Sequence, residues 1–293
     1  VILLTGATGT VGRALLRRLV ASGAQVRCLV REPRKLGQER VRVQIAMGDL
    51  ADPASFRHAL RGVDQVVHLA ASIRDQPLGS IEELNGVATL RLLRAAESAG
   101  VSQFIFFSAI GASLHAPARF FRAKALAEQA TEESDLSTVV FAPSIIYAPG
   151  DPWMTLLQRL SFLPVMPIAG SGQALYQPIW ADDVAACVET VLGEGANGHR
   201  RLELAGPETL SYDGIARTAL NAFGKDRRLL HIPFPFVRRT LGALEWAAQD
   251  SVFATAEEAD LMAIPMVSER GTADARELGV EPLPMAKVLA TSI

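Results

Sequence analysis

The chain predicts an α/β fold, a doubly wound parallel sheet carrying a smaller, mostly helical C-terminal cap, and three observations support this. The apolar run Val1-Ile2-Leu3-Leu4 passes directly into a glycine turn and then a helical pattern. Strand-like runs go on alternating with amphipathic stretches to about residue 146, as successive βαβ units require. The alternation then fades, and the segment after Gly206-Pro207 reads as mostly helical.

The first turn reads Thr5-Gly6-Ala7-Thr8-Gly9-Thr10-Val11-Gly12, and the helix after it has its apolar stripe at Val11, Leu15, Leu16, Leu19 and Val20 before ending at Gly23. Glycines here permit a tight turn, bring backbone close to a bound group, and let the helix approach the sheet. The uncapped amides and the dipole of such a helix attract a pyrophosphate, so the unit is a candidate dinucleotide site of the Rossmann type. The second strand, Gln25 to Val30, ends in Arg31-Glu32-Pro33-Arg34-Lys35, about where an acidic residue would hold the adenosine ribose of NAD. Arg31, with Arg34 and Lys35 nearby, offers forked donors and positive charge to a 2′-phosphate, which favours NADP(H) over NAD(H). If Glu32 faces the ribose instead, the preference reverses.

A third strand is expected at Val41 to Ile45, followed by Gly48-Asp49-Leu50 and a helix opened by Asp52-Pro53. A fourth covers Gln65 to Leu69, so that Asp49, Leu50, Leu69, Ala70 and Ala71 fall at strand ends beside the adenine and ribose. Asn85 to Ala99 reads as a helix stopped by Gly100, with strands at Gln103 to Phe107 and Thr138 to Phe141 beyond it. Pro149, Gly150, Pro152, Pro164, Pro167, Gly170 and Gly172 mark a loop-rich excursion. A helix at Asp183 to Leu192 and a strand at Arg201 to Leu204 restore the regular pattern, with Asp182 and Asp183 read as N-cap and dipole partners. In the cap, Phe234, Phe236, Val237, Leu241, Leu244 and Trp246, interleaved with Arg238 and Arg239, form an apolar helix read as packing within the cap. Residues 1–146 and 176–204 are therefore assigned to the nucleotide-binding domain, and 147–175 and 205–293 to the substrate cap.

Lys and Arg total 29 against 31 Asp and Glu, for a net charge of −2, so there is no electrostatic case for a nucleic-acid partner. The two cysteines, Cys28 and Cys187, lie in apolar segments without metal or redox spacing, and the five histidines form no ligand pair, so no metal is expected. Apolar runs fall short of the roughly 18 to 20 residues that span a bilayer. A cytoplasmic protein is expected, or one of an organelle matrix if a targeting segment has been removed. A G-x-S-x-G elbow, an H-E-x-x-H zinc motif and a P-loop lysine are all missing, which argues against hydrolase, metalloprotease and nucleotide triphosphatase chemistry.

Beyond the glycine turn, the chain carries His68-Leu-Ala-Ala71, Asn85-Gly86, Phe106-Phe107-Ser108, Lys124, Pro143-Ser-Ile-Ile-Tyr147 and Gln177-Pro-Ile-Trp-Ala-Asp-Asp-Val184. With these it resembles the short-chain dehydrogenase/reductase superfamily, in its extended or atypical branch (NAD-dependent epimerase/dehydratase-like). Ser108 to Ala112, Lys124 to Glu128 and Gln177 to Val184 are most similar to the group around the nucleotide-binding accessory subunit of respiratory complex I and its bacterial relatives. The resemblance implies that Ser108 and Lys124 sit at the catalytic centre against the nicotinamide half of the cofactor, with Pro143 and Ile145 among the cofactor-binding residues and Asn85 helping to organise the active-site helix and water there. It also implies a tyrosine four residues before the lysine as proton donor, and that position is Phe120. Asn85 has a competing reading as a helix cap, and Lys124 as a surface lysine paired with Glu128.

Without the phenol, carbonyl reduction loses acid–base help worth ~10²- to 10⁴-fold, whereas a quinone can take its protons from solvent. Tyr147 is the candidate substitute donor. The expected function is an atypical NADP(H)-dependent oxidoreductase passing hydride to a small apolar acceptor such as a quinone, with association in a respiratory complex or homo-oligomer open. The alternative is a non-catalytic NADP(H)-binding protein serving structure, assembly or redox sensing.

Overall fold

The computed structural model describes residues 1–77, 79–237 and 261–292. Seven parallel strands form the central sheet: β1 (Ile2–Thr5), β2 (Val26–Val30), β3 (Gln44–Met47), β4 (Gln65–His68), β5 (Gln103–Phe107), β6 (Ser137–Pro143) and β11 (His199–Leu204), the strands β7 (Ile146–Tyr147), β8 (Val165–Ala169), β9 (Leu175–Tyr176), β10 (Ile179–Trp180) and β12 (Leu210–Ser211) lying outside it. Their spatial order is β11-β6-β5-β4-β1-β2-β3. β1 pairs in register with β2 through Ile2↔Val26 and with β4 through Ile2↔Gln65, so all four of its residues are buried. That central position explains its unbroken apolar run, since both faces of a parallel strand are covered. Strand order reverses between β1 and β4, where the crevice of a doubly wound sheet takes its ligand.

Helices α1 (Thr10–Ala21) and α6 (Ala181–Glu194) cover one face through Leu15, Leu19, Val184 and Val188. Arg18 joins them, its Nε donating to Glu189 at 2.8 Å and its Nη1 to Asp182 at 3.0 Å. The other face is closed by α2 (Pro53–Phe56), α3 (Ala88–Ala99) and α4 (Arg119–Glu132), which bring Phe56, Leu92, Leu93 and Ala127 against Phe104 and Phe106. Asp52 caps α2 by accepting from Ala54 N at 3.0 Å, and Gly100 ends α3 at φ 73°, the left-handed geometry glycine allows.

Several sequence expectations change. The third strand begins at Gln44 rather than Val41, because a 3₁₀ segment at Pro33–Val41 takes up Val41 and leaves it 79% exposed. The 149–172 excursion is not all loop. Asp151 caps α5 (Pro152–Leu160) by accepting from Met154 N, with Pro152 in the first turn, and β8 (Val165–Ala169) pairs in parallel with β13 (Arg228–Ile232).

Asp182 and Asp183 stand in the first turn of α6, but the N-cap position belongs to Trp180. The Asp183 carboxylate accepts from Leu283 N at 2.9 Å instead, tying the C-terminal segment to the helix. Of the apolar cap helix, Phe234, Phe236 and Val237 begin in helical geometry, whereas Arg238, Arg239, Leu241, Leu244 and Trp246 lie outside the described residues.

The cap has its own core, in which α5, α7 (Tyr212–Ala222) and the C-terminal helix Met285–Ser292 pack around Tyr147, Met166, Ile168 and Tyr176. Among the described residues, no helix is long and apolar enough to cross a membrane.

Candidate functional site

At the sheet's switch point the glycine turn opens onto a cavity of about 340 Å³. Gly6 adopts φ 71°, and Gly9 N donates to Gly6 O at 3.0 Å, so the loop folds back under the start of α1. Gly9 occupies the N-cap position with no side-chain cap, and the first turn of α1 has no acidic residue, which leaves its amides and dipole available to an anion. A Cβ on Gly12 would lie 2.1 Å from Gly6 O, and one on Gly6 would lie 2.6 Å from Ala70 N. The loop is therefore a cradle whose shape needs bare backbone, which fits a pyrophosphate.

Of the cofactor residues named from the sequence, the structure brings Thr5, Gly6, Thr8, Gly9, Arg31, Lys35, Asp49, Leu50, Leu69, Ala70 and Ala71 to this cavity. Thr10 faces a neighbouring cavity, while Val11 and Gly12 are buried in α1 behind the turn. Arg34 is exposed and does not line the cavity. Sequence reasoning missed Ser72, Gln76 and Leu84, which close it from the segment after β4. Loop residues that reach back across a cleft leave no periodic trace.

At the adenosine end, charges are already paired. Arg31 Nη1 lies 3.8 Å from Asp49 Oδ2, and Lys35 Nζ lies 2.6 Å from Glu32 Oε1. The bond from Lys35 holds the exposed Glu32 carboxyl below its ordinary range, so Glu32 is ionised and engaged.

Behind the cavity runs a buried relay. Ala70 N donates to Thr5 Oγ1, which lies 2.7 Å from His68 Nδ1, while His68 Nε2 lies 2.9 Å from Thr89 Oγ1. Thr89 spends its proton on Asn85 O at 2.8 Å, so Nε2 must be the donor to Thr89 and Nδ1 the acceptor from Thr5. Burial, with Lys124 adding a smaller effect, brings the His68 pKa down to about 3. His68 is thus a neutral structural link rather than a groove residue.

Asn85 does not cap a helix. It sits inside the π-helical turn Glu83–Val87, donating to Ser72 O at 2.7 Å and to Ile81 O at 2.8 Å and accepting from Ser72 N at 3.1 Å. It fixes the segment that closes the cavity.

Ser108 and Lys124 meet at the end of β5, apart from the first cavity. Lys124 is 2% exposed, so it is not the surface lysine of the competing reading. Its Nζ donates to Phe107 O at 2.6 Å and lies 4.9 Å from the Phe106 ring centroid and 5.6 Å from that of Phe120. Burial brings its pKa down to about 7, with Glu128 opposing. Ser108 is 5% exposed, and its Oγ has no hydrogen-bond partner among the described residues. A buried hydroxyl left unpaired is costly unless a ligand group satisfies it.

Over this corner, Ala109, Ala116 and Phe121 pack with Phe120, Leu261, Ile264 and Met266. Ser144 Oγ, between Pro143 and Ile145, holds the covering strap by donating to Met266 O at 2.6 Å. Pro143 O accepts from Ile110 N, which ties it to the segment after β5, whereas Ile145 O accepts from Ile179 N and the Ile145 side chain packs with the cap core.

Tyr147 belongs elsewhere. It is fully buried in the cap core, and burial, with Asp183 and Glu208 adding to it, pushes its phenol pKa up. Its hydroxyl, like Ser108 Oγ, has no hydrogen-bond partner among the described residues, and a phenol so placed gives up its proton less readily than a free one.

Residues 6–152 match the model of a family described as NAD(P)H-binding. Over 249 residues the chain is 28% identical to "NADH dehydrogenase [ubiquinone] 1 alpha subcomplex subunit 9, mitochondrial" of Arabidopsis thaliana, covering 80% of this chain and only 60% of that protein. It is 28% identical over 269 residues to a ceramide reductase of Caulobacter vibrioides, covering 89% and 84% of the two chains. Among solved structures, a dTDP-glucose 4,6-dehydratase double mutant from Streptomyces venezuelae with NAD bound superposes with a TM-score of 0.76 at 20% identity, covering 100% of this chain and 95% of that one. At that identity the likeness establishes the fold alone.

Proposed function

The chain belongs to the NAD(P)H-binding family, and from that premise we propose an oxidoreductase that uses NADP(H) in preference to NAD(H) and serves a flat, apolar acceptor such as a quinone. The observation that carries this reading is the apolar corner at Lys124, where Phe120 stands and Phe121, Ile264 and Met266 complete the wall. When bound, the nicotinamide supplies the hydride. Thr8, Gly9 and the first-turn amides of α1 hold the diphosphate, and Asp49 and Leu50 flank the adenosine. Ser108 and Lys124 offer a hydroxyl and an amine to the nicotinamide half, and Phe120 offers a ring face but no proton. Acceptors that need a protein-borne acid are therefore poor substrates, whereas a quinone draws its protons from water.

Two features support the NADP(H) preference. Arg31 and Lys35 both line the adenosine end, and Glu32, which lines it as well and would favour a free ribose, is bound to Lys35. Arg31→Asp is expected to weaken NADP(H) binding by ~10- to 100-fold, the worth of one hydrogen bond to a charged group, and to leave NADH binding equal or stronger. Calorimetry with both cofactors checks this, and an unchanged preference would remove Arg31 from the site.

Turnover is tested by following NADPH oxidation with and without a panel of quinones, aldehydes and ketones. Consumption with quinones alone is expected. Oxidation no faster than background with every acceptor overturns the enzyme reading.

The covered state of Ser108 and Lys124 favours a second reading, in which NADP(H) is bound for structure, assembly or redox sensing. Cofactor would then raise the melting temperature by mass action without turnover. Phe120→Tyr separates the two. A large gain in carbonyl reduction means a corner that admits substrate but has no acid, and no gain with any carbonyl means a corner closed by its strap.

We further place 1–146 and 176–204 in the nucleotide domain and 147–175 and 205–293 in the cap. The buried free thiols Cys28 and Cys187 suit a reducing compartment, cytoplasm or organelle matrix. Association with a respiratory complex is the partner class that the plant relative's name supports, with a homo-oligomer as the alternative.

A further inference from the structure

The outer edge of the central sheet is open and, along the strand itself, uncharged. β3 stands last in the strand order, with β2 on one side and no strand of the sheet on the other. An edge of this kind is ordinarily blunted by a charge or a proline within the strand, because its outward N–H and C=O groups would otherwise pair with another chain. Gln44-Ile45-Ala46-Met47 has neither. Ile45 is instead 40% exposed and Met47 62%.

The connection before β3 explains that exposure. Ile45 and Met47 lie level with Cys28 and Val30 of β2, which are buried in the core under α1. Parallel neighbours are usually joined by a helix laid over both strands, but here the joining piece is the 3₁₀ segment Pro33–Val41, which buries only Leu36. The cover stops at β2. Val41, Ile45 and Met47 are left as an apolar strip on the α1 side of the edge.

The opposite side is basic. Arg27, level with Gln44, donates to Gln44 Oε1 at 2.9 Å and to Arg61 O at 2.7 Å, so the 3₁₀ turn Arg57–Leu60 and the residue after it lie against this edge. The Arg57 and Arg61 side chains are exposed and have no hydrogen bond or ion pair among the described residues. Carboxylates nearby in sequence are engaged: Asp49 accepts from Ala51 N, Asp52 caps α2, and Asp64 pairs with the amine of Val1. Neither the apolar strip nor these two arginines line a cavity described above, so the edge is separate from the dinucleotide site.

We propose that the outer edge of β3 is a docking site for an extended, acidic segment of a partner protein, which joins the sheet as a further strand. Such a segment pairs with the outward backbone groups of β3 and sends alternate side chains to opposite faces. Apolar ones meet Ile45 and Met47, and acidic ones face Arg57 and Arg61. Charge and backbone together select this occupant. A second copy would set one basic edge against another, since a two-fold contact uses the same patch on both chains, and a bilayer offers no backbone to pair with the strand.

The probe is a labelled peptide of alternating glutamate and valine, about eight residues long, titrated with the full chain and followed by fluorescence anisotropy. Saturable binding is expected, weakening as salt rises. Arg57→Glu/Arg61→Glu should weaken it by ~10-fold or more with an unchanged far-UV circular dichroism spectrum, whereas Arg57→Lys/Arg61→Lys should keep most of it. The same peptide N-methylated at every amide keeps its charges and valines but cannot donate to a strand, and it should not bind.

Absence of binding by the alternating peptide overturns the proposal, as does binding that survives N-methylation or the charge-reversed double variant. Two further arms name the other occupants. A dimer in sedimentation that excludes the peptide assigns the edge to a second copy. Co-sedimentation with phosphatidylglycerol vesicles that is lost in the charge-reversed variant, without peptide binding, assigns it to a bilayer. Either result overturns the proposal. No step uses a nicotinamide cofactor, so the outcome is independent of the cofactor reading.

Discussion

Gly12→Ala is expected to lower dinucleotide affinity by more than ~100-fold, the equivalent of two lost hydrogen bonds to a charged group, in a chain that still folds. The added methyl would sit 2.1 Å from Gly6 O, 2.8 Å from Ala7 Cα and 2.9 Å from Ala7 C. All three are backbone atoms, so no rotamer can relieve the contact and the turn itself must move. Overpacking of this kind commonly costs ~1–3 kcal/mol of stability. The greater loss is functional, because the displaced turn no longer aims Gly9 and the first amides of α1 at the same point. Gly23→Ala is the control. Gly23, unlike the helical Gly12, needs a left-handed backbone, at φ 77°, but a Cβ there meets nothing within 4 Å. It should cost about 1 kcal/mol, as alanine at positive φ does, and leave binding unchanged. Calorimetry and thermal melts on both variants decide the matter. Gly12→Ala binding within about 3-fold of the parent would mean that the turn is not the phosphate cradle.

The turn was legible because everything it needs is local: an apolar strand, glycines at fixed spacing, and a helix with a clear stripe. The parallel, doubly wound class of the sheet followed from the βαβ alternation for the same reason. Val41 misled because Val41, Val43 and Ile45 alternate as a strand would, yet register at this edge is set by pairing with β2, where Arg27 meets Gln44. Proline misled in the cap. Pro152 opens a helix rather than breaking one, and Pro167 lies in a two-stranded pair, where a missing donor is tolerated.

In the site, strand-end residues such as Asp49 and Ala70 could be placed by counting from the strands. The roles of His68 and Asn85 could not. The partners of His68 lie 63 and 21 residues away, and the side chain of Asn85 turns back to Ser72, 13 residues earlier, from within a π-helical turn. The closure of the Lys124 corner depends on Ile264 and Met266, more than a hundred residues further along the chain, and no spacing rule links them. Local chemistry can be read from sequence, whereas burial produced by distant segments cannot.

That burial makes stability depend on pH in an unusual direction. His68 titrates near 3 in the folded chain and near 6.5 when unfolded, so between these values the unfolded chain binds more protons and stability falls as pH drops. Lys124 titrates near 7 folded and 10.5 unfolded, so between those values, too, the unfolded chain holds the extra proton. Stability should therefore keep rising from neutral pH towards pH 10.5 instead of levelling off, by roughly 3–5 kcal/mol if Lys124 acts alone.

Urea midpoints at about pH 5, 7 and 9 measure both limbs. Lys124→Met should flatten the alkaline limb, since the buried amine is gone and methionine fills much of its volume against Phe106 and Phe120. It should also shorten the acid limb from its low-pH end, because without the Lys124 charge the folded His68 pKa rises towards its unfolded value. His68→Asn should flatten the acid limb and leave the alkaline one. If the parent chain shows no gain between neutral and alkaline pH, or if Lys124→Met keeps that gain, the amine is not held in the dry, ring-lined corner from which the choice of an apolar acceptor was argued.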